Sequence, residues 1–415
     1  MTRHNTRAIL GAGAILAASA LVLTGCGGSG FDEPSSSSDG LTSSKDPLTV
    51  LIGSSGEAET AAVEKAVAAW SAESGVKATV SVANDLPQQL SQGFAAGSPP
   101  DLFYLAPEAI AGYAKNGSLK AYGDEMKNKD DFYPSLVSNF TLDGEFYCAP
   151  KDFSTLALII NTDIWTAAGL TDADIPTDWD SLASITKTLT ADGHVGLAFG
   201  AEYQRVGTFM AQAGGGLIVD GKAAANSDAN VEALTYVQSH LVDGTFAYAA
   251  DIGAGWGGEA LGKGLAAMVI EGNWITGAMS ADFPSVNYKV VELPAGPAGK
   301  GTLQFTNCWG MASDSPNQQA ALGLVEYLTS TDQQLAFSKA FGPMPSISSA
   351  AGAWTAANPA LEAFLTGADY ADFPPNQAGS TDVIADFNAQ LESLKTGDPK
   401  KILDSVQLNL QAVVK

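Results

Sequence analysis

The chain has 415 residues, of which 46% are hydrophobic and 16% are charged. This composition supplies enough apolar side chains for sizeable cores, and the length exceeds what one core usually serves, so we expect two folded lobes. A formal net charge of -24 argues against nucleic-acid binding, because an acidic surface repels phosphate.

The first 25 residues have the organisation of an export signal. Arg3 and Arg7 precede an apolar run at 8–23, and small residues follow the run. The run is short for a membrane span and polar sequence comes directly after it. Residues 1–25 are therefore predicted to be a cleaved signal peptide.

The motif LTGC ends at Cys26 and resembles the bacterial lipobox, whose cysteine receives diacylglycerol after signal cleavage. The alternative is an ordinary signal peptide with a chance cysteine. Residues 26–47 are rich in Gly and Ser and have almost no large apolar side chains, which predicts a flexible tether. We expect a lipid-anchored protein on the extracellular face of the cell membrane.

Short apolar runs alternate with stretches of helical periodicity along the rest of the chain. The predicted strands are at 48–53, 102–106, 156–160, 195–199 and 266–270. The predicted helices include the stretch around Val63, Val67 and Trp70, and those at 226–242, 320–328, 383–394 and 402–413. Alternating strands and helices are typical of an α/β fold with parallel-type sheets.

Several motifs of known chemistry fail their context tests. Gly253–Gly258 satisfies G-x-G-x-x-G, but no buried strand leads into it and no clear helix opens directly from it. The histidines at 4, 194 and 240 and the scattered cysteines lack metal-ligand spacing. We therefore predict no metal and no cofactor. A glycoside hydrolase remains an alternative, since it needs only two suitably spaced carboxylates.

A series of local patterns occurs in a fixed order along the chain. They are PDL at 100–102, GYAKNGSL at 112–119, YCAP at 147–150, LIINTD at 158–163, PTDWD at 176–180, QAGG at 212–215, GLAAMVIEGNW at 264–274, LPAGP at 293–297 and WGM at 309–311. Together they resemble the extracellular solute-binding proteins of family 1, the maltose-binding-protein-like group.

This resemblance implies a two-lobed periplasmic-binding-protein type II fold with a hinge and a ligand cleft between the lobes. Lobe 1 would comprise 48–151 and 308–350, and lobe 2 would comprise 152–307 and 351–415. It further implies a monomeric carbohydrate-binding subunit that delivers its ligand to the permease of an ABC importer and is not an enzyme. A cationic polyamine or a peptide is the alternative ligand.

Cys148 and Cys308 form an even pair in an exported chain, where disulfides persist. The resemblance places both near the hinge, close enough for a disulfide. The alternative is two buried thiols that act as small apolar fillers.

Tryptophans are the first candidates for sugar contacts, because sugars offer apolar C–H faces to flat rings. Trp274 follows a buried strand, where α/β proteins place ligands, and the equivalent residue of the family stacks on sugar. Trp256 lies in a glycine-dense loop, and Trp309 lies at a crossing segment beside Asn307, which is a candidate polar contact. Structural roles as hinge or loop anchors are the alternative for Trp256 and Trp309, whereas Trp70 is expected in a core.

Polar contacts are carried over from the resemblance position by position. Glu202, Tyr203 and Gln204 stand where the maltose binder has an acidic residue and a stacking tyrosine, although the tyrosine is displaced by one position. Glu108 matches an acidic sugar contact, but Ala109 replaces the adjacent arginine.

Further acidic and amide candidates lie in loops. Asp152 stands at the crossing where relatives place a sugar-binding acid, and a surface pair with Lys151 is its alternative role. Glu57 either contacts the ligand or favours the start of the next helix through its dipole. Asn376 and Gln377 form a polar loop in the expected general location.

Overall fold

The protein is described here as a computed structural model that covers residues 40–191 and 193–414. The predicted signal peptide and Cys26 lie outside the described residues. Within the described part, no helix is both long enough and apolar enough to cross a membrane.

The secondary structure alternates between strands and helices. The strands are β1 Leu48–Ile52, β2 Ala78–Val82, β3 Leu102–Leu105, β4 Thr141–Leu142, β5 Glu145–Phe146, β6 Ala149–Asn161, β7 Val195–Phe199, β8 Ile218–Val219, β9 Lys222–Ala223, β10 Phe246–Tyr248, β11 Ala266–Gly272, β12 Tyr288–Val291, β13 Thr302–Met311 and β14 Ala371–Asp372.

The helices lie between and after these strands. They are α1 Glu57–Ser74, α2 Leu86–Ala95, α3 Pro107–Lys115, α4 Pro134–Asn139, α5 Thr162–Ala167, α6 Trp179–Leu189, α7 Tyr203–Gln212, α8 Asp228–Asp243, α9 Gly257–Gly262, α10 Ile275–Asp282, α11 Gln318–Leu328, α12 Thr331–Phe341, α13 Ala351–Ala357, α14 Glu362–Gly367, α15 Ser380–Leu391 and α16 Pro399–Val413.

The predicted elements are confirmed in type and position. All five predicted strands occur, as β1, β3, β7, β11 and part of β6. The predicted helices are found as α1, α8, α11, α15 and α16, with ends shifted by a few residues. One expectation was wrong, because the short helix α9 opens at Gly257 inside the G-x-G-x-x-G segment.

The main sheet runs in the order β10-β7-β11-β6-β13-β3-β1-β2. Two long antiparallel strands, β6 and β13, connect its halves: the first half of β6 pairs with β13, and its second half pairs with β11 and β12. On the other side, the end of β13 pairs with β3. The chain therefore crosses between the halves through β6 and β13.

Buried apolar side chains form separate clusters on the two halves. One cluster draws on 48–149 and 308–350, and a second draws on 156–303 and 383–410. The third cluster covers the other face of β6 and also takes in Leu136 and Met344. Alternation along β6 explains the split, since successive side chains point to opposite faces of a sheet. The predicted lobe boundaries follow the first two clusters and stay a prediction.

The predicted tether is too long at its C-terminal end. Thr42 donates its backbone N–H to Gln318 at 3.1 Å and its hydroxyl to the carbonyl of Ser315 at 2.7 Å. Leu41 packs against the first core cluster, and Asn317 donates to the carbonyl of Asp46 at 3.1 Å. Residues 41–46 are therefore docked on the start of α11, because one apolar side chain and several backbone hydrogen bonds compensate for ordering them.

Candidate ligand-binding cleft

A cavity of about 450 Å³, called here the first chamber, opens where β6 and β13 cross between the halves of the sheet. Its walls come from the middle of those strands, from the loops that follow β1 and β3, and from the loop that follows β11. Ligand sites in α/β sheets lie beyond the carboxyl ends of the strands, and the volume is in the range of small-molecule pockets.

Trp274 is the most exposed large ring in this wall. It follows β11, and 40% of its surface is accessible. Its indole Nε1 donates to Glu271 Oε2 at 3.0 Å, and the ring meets Phe305 edge to face at 5.9 Å between centroids. An indole held at its edge while one face stays open provides a flat apolar platform.

A buried ion pair between Glu271 and Arg205 lies against the indole of Trp274. Glu271 is only 1% exposed and pairs with Arg205 at 2.6 Å, and the guanidinium carbon lies 5.4 Å from the Trp274 ring centroid. Burial raises the pKa of Glu271 above its ordinary value, and the Arg205 charge counteracts part of that rise. The carboxylate and the guanidinium together fix the orientation of the ring.

A second buried charge cluster lies on the opposite wall. Glu59 accepts hydrogen bonds from the Ser55 backbone N–H at 2.8 Å, from the Tyr104 hydroxyl at 3.0 Å and from Lys151 Nζ at 3.1 Å. Lys151 also contacts the carboxylate of Asp152 and lies 4.5 Å above the Tyr104 ring. One ammonium therefore neutralises much of the charge of two carboxylates.

The pKa values in this cluster reflect burial and pairing together. Burial raises the pKa of Glu59, but Lys151 and the Ser55 hydrogen bonds outweigh it, so the pKa lies below its usual value. Burial lowers the pKa of Lys151, but Asp152 and Glu59 raise it above its usual value. For Asp152, burial outweighs Lys151 and raises the pKa. A neutral polar ligand would meet paired charges here rather than an isolated ion.

The wall formed by β13 carries amides. Gln304 is fully buried and lines the first chamber, and neither polar atom of its side chain has a partner within the described part of the chain. Asn307 is exposed in the same chamber, next to a register shift between Asn307 and Cys308. Such irregularities in a strand re-aim side chains next to functional sites. An unpaired buried amide is costly, and ligand hydroxyls would satisfy it.

Four of the predicted contact residues line the first chamber. They are Trp274, Asp152, Glu108 and Asn307. Asp152 is in contact with Lys151, but that pair is partly buried in the cleft wall, with side chains 10% and 17% exposed, rather than lying on the open surface.

Three predicted contact residues lie elsewhere and are corrected. Glu57 is exposed at the start of α1, and Glu59 of the same helical turn faces the chamber instead. Trp309 is 1% exposed and packs edge to face on Tyr104, so it is a core residue. Trp256 precedes α9 and packs against the third core cluster.

The segment 202–204 also lies outside the first chamber. Tyr203 is 3% exposed and belongs to the second core cluster, and it also lines an adjoining cavity of about 470 Å³ that contains the glycine run 214–216. Glu202 pairs with Arg205 at 2.8 Å, one turn along α7, and Gln204 contacts Asn388 at 3.5 Å. The helical phase decides this outcome, because Arg205 is the residue of this turn that reaches the Trp274 side chain.

Sequence reasoning missed Glu59, Arg205, Glu271, Gln304 and Phe305. A sequence signal existed for Glu271, since a carboxylate inside an otherwise apolar strand run requires a partner. The pairing of Arg205 with it joins residues that are 66 positions apart. Only the folded chain shows that contact.

Cys148 and Cys308 lie on neighbouring segments at the crossing. Their Cα atoms are 5.6 Å apart, within the range of disulfides, and the two residues are paired as a disulfide in the structure. Both side chains are fully buried. The pair ties β13 to the start of β6 next to the first chamber.

Two α/β halves joined by crossing strands, with an aromatic and amide-lined cleft at the crossing, define a two-lobed solute-binding protein. The sequence profile of the bacterial extracellular solute-binding proteins matches residues 65–363. The chain belongs to that family.

Individual relatives agree with this assignment. A binding protein of Brucella abortus is 25% identical over 344 residues, which is 79% of this chain and 83% of that protein. The lactose-binding protein of Rhizobium radiobacter is 29% identical over 206 residues, 48% of each chain. The cyclic alpha-maltosyl-1,6-maltose binding protein of Arthrobacter globiformis has the same fold, with a TM-score of 0.79, 23% identity and coverage of 89% of this chain and 99% of that one.

Proposed function

We propose that this protein binds a carbohydrate in the first chamber and delivers it to an ABC-type importer. The observation that carries the proposal is the Trp274 indole, which is exposed to the chamber, held by Glu271 and backed by Arg205. Such a platform stacks on the C–H face of a sugar ring, and the amides beside it can hydrogen-bond to the hydroxyls of the sugar.

The polar residues of the chamber fit a neutral, hydroxylated ligand. Asn307 and Gln304 provide amide donors and acceptors, and Glu108 provides an exposed carboxylate. The Lys151 ammonium is already paired with Glu59 and Asp152. Relatives support the same ligand class, since they include proteins named for binding lactose and cyclic maltosyl-maltose.

Capture would proceed by closure of the two lobes about the crossing strands. Contacts that form only when both lobes touch the sugar shift the population toward the closed form. Micromolar affinity, about 8 kcal/mol, is typical of what such contacts leave after the costs of ordering.

We also propose where the protein works in the cell. Export, lipidation at Cys26 and the tether up to Gly40 would hold a monomer near the permease at the extracellular face of the membrane. The protein would hand over intact sugar and perform no catalysis.

Thermal-shift screening of carbohydrates, spermidine and short peptides, followed by calorimetry, tests this function. We expect stabilisation by carbohydrate alone, and recovery of intact sugar after incubation. Release of monosaccharide from the added sugar would show that the protein is a glycoside hydrolase instead. Stabilisation by spermidine or peptides instead of sugar would refute carbohydrate binding.

A further inference from the structure

A second cavity, of about 470 Å³, adjoins the first and is called here the second chamber. It is lined by the glycine run 214–216, by Asp372 and by the loop 373–377. Asn139 and the residues 373–375 line both chambers, so the two meet at that point. Each volume lies within the range of about 300–1,000 Å³ of ligand pockets.

The junction contains a buried amide with unused hydrogen-bonding capacity. Asn139 is 7% exposed, and its Oδ1 accepts from Asn376 at 3.0 Å. Its Nδ2 is buried and has no partner among the described residues, and the same holds for Oε1 of Gln377 in the second chamber. Buried polar atoms are almost always paired, so each of these two atoms can take a hydrogen-bond partner from a bound ligand.

The glycine run keeps this chamber open. A Cβ at Gly215 would clash with Asn230, so packing requires glycine there. At Gly216 the nearest atom to a Cβ would be 3.7 Å away, so packing does not require glycine at that position. Any larger side chain at Gly216 would occupy space that is now free.

We propose that the second chamber is a further sugar subsite and that the ligand is an oligosaccharide longer than a disaccharide. The ligand would run from Trp274 past the loop 373–375 toward Gly216. An amide donor, an amide acceptor and a carboxylate beside the apolar side chains of Ile218 and the exposed Val219 match the hydroxyls and C–H faces of a sugar unit. This inference rests on the proposed function and adds the length and direction of the ligand.

Titration calorimetry with two sugar ladders tests the proposal. The probes are maltose through maltohexaose, and diacetylchitobiose through its hexamer. In the ladder that binds, we expect affinity to rise at least tenfold beyond the disaccharide. Gly216→Phe should abolish that gain, whereas disaccharide binding in the first chamber, which Gly216 does not line, should change less than twofold.

A second variant removes one hydrogen bond without filling the chamber. Gln377→Met should weaken binding of the longer sugars about fivefold, the value of one hydrogen bond. Gly352→Phe is the matched control, because position 352 is exposed and has no atom within 4 Å of an added Cβ. It should leave both ladders unchanged.

The outcomes separate this inference from the function on which it rests. Disaccharide binding with no gain for longer sugars would overturn the second subsite alone. An equal loss for short and long sugars in Gly216→Phe would do the same. Failure of every carbohydrate, in these ladders and in the thermal-shift screen, to bind the unmodified protein would overturn the proposed function, and the subsite with it.

Discussion

The indole Nε1 of Trp274 donates to the carboxylate of Glu271, three residues earlier in the chain, at 3.0 Å. Glu271 is also the partner of Arg205, whose guanidinium lies against the indole. The ring is thus fixed at its edge and at one face before a ligand arrives. A preorganised platform loses little side-chain freedom on binding, which improves affinity.

The first prediction concerns this platform. Trp274→Ala should weaken carbohydrate binding at least tenfold, or about 1.4 kcal/mol, because the stacking surface is lost. The melting temperature of the free protein should change little, since the ring is 40% exposed. Calorimetry and thermal unfolding measure the two effects. Tyr147→Ala, which removes a ring outside both chambers, is the control and should keep full affinity.

The second prediction concerns the buried charges around Lys151. Lys151→Met should lower the free energy of unfolding by about 3 kcal/mol, because the buried Glu59 and the partly buried Asp152 lose their cation. Adding Glu59→Gln should recover part of that loss, since one of the uncompensated charges is then removed. Urea denaturation at pH 7 measures both. Simple additivity of the two substitutions would contradict the proposed coupling.

The third prediction concerns pH. Burial lowers the pKa of His240, and Asp243 counteracts this only in part. The unfolded chain therefore takes up this proton at a higher pH, near the ordinary histidine pKa of 6.5, than the folded protein does. Stability should fall as the pH drops below about 6.5, by at most about 1.4 kcal/mol per pH unit for one proton.

Two variants isolate His240 from other titrating groups. His240→Gln should flatten the dependence of unfolding free energy on pH between about 7 and 5, the range in which an unperturbed histidine titrates. Asp243→Asn should steepen it, because the carboxylate that favours the charged imidazole is gone. An unchanged slope in both variants would contradict the assignment.

The fourth prediction concerns the cysteine pair. Replacing Cys148 and Cys308 together by Ala should lower the free energy of unfolding by about 3 kcal/mol, because the bond restrains the unfolded chain. Carbohydrate binding should persist, since neither sulfur lines the chambers. Thiol titration of the unreduced, denatured protein should detect no free thiol at these positions. Two reactive thiols would instead show that Cys148 and Cys308 are free cysteines that only fill space in the core.

Local sequence pattern was sufficient for the five strands and five helices that it predicted. The run VGLAF is β7 itself, and the apolar face with Val63, Val67 and Trp70 is the buried face of α1. The docked segment 41–46 was missed, because its contacts with α11 join residues more than 270 positions apart.

In the candidate site too, local pattern identified some residues and long-range contacts decided the others. Trp274 was identified because strand ends carry ligand contacts in α/β folds, and that rule depends only on local order. Glu57 was misplaced, and Glu59 faces the chamber instead, because adjacent helical residues point about 100° apart and a two-residue error reverses burial. Residue order thus determined the elements, the family and the position of the indole. Tertiary packing alone decided that Glu59, Lys151 and Asp152 form one charge cluster and that Arg205 reaches Glu271, because pairing of distant ions depends on how the strands and helices come together.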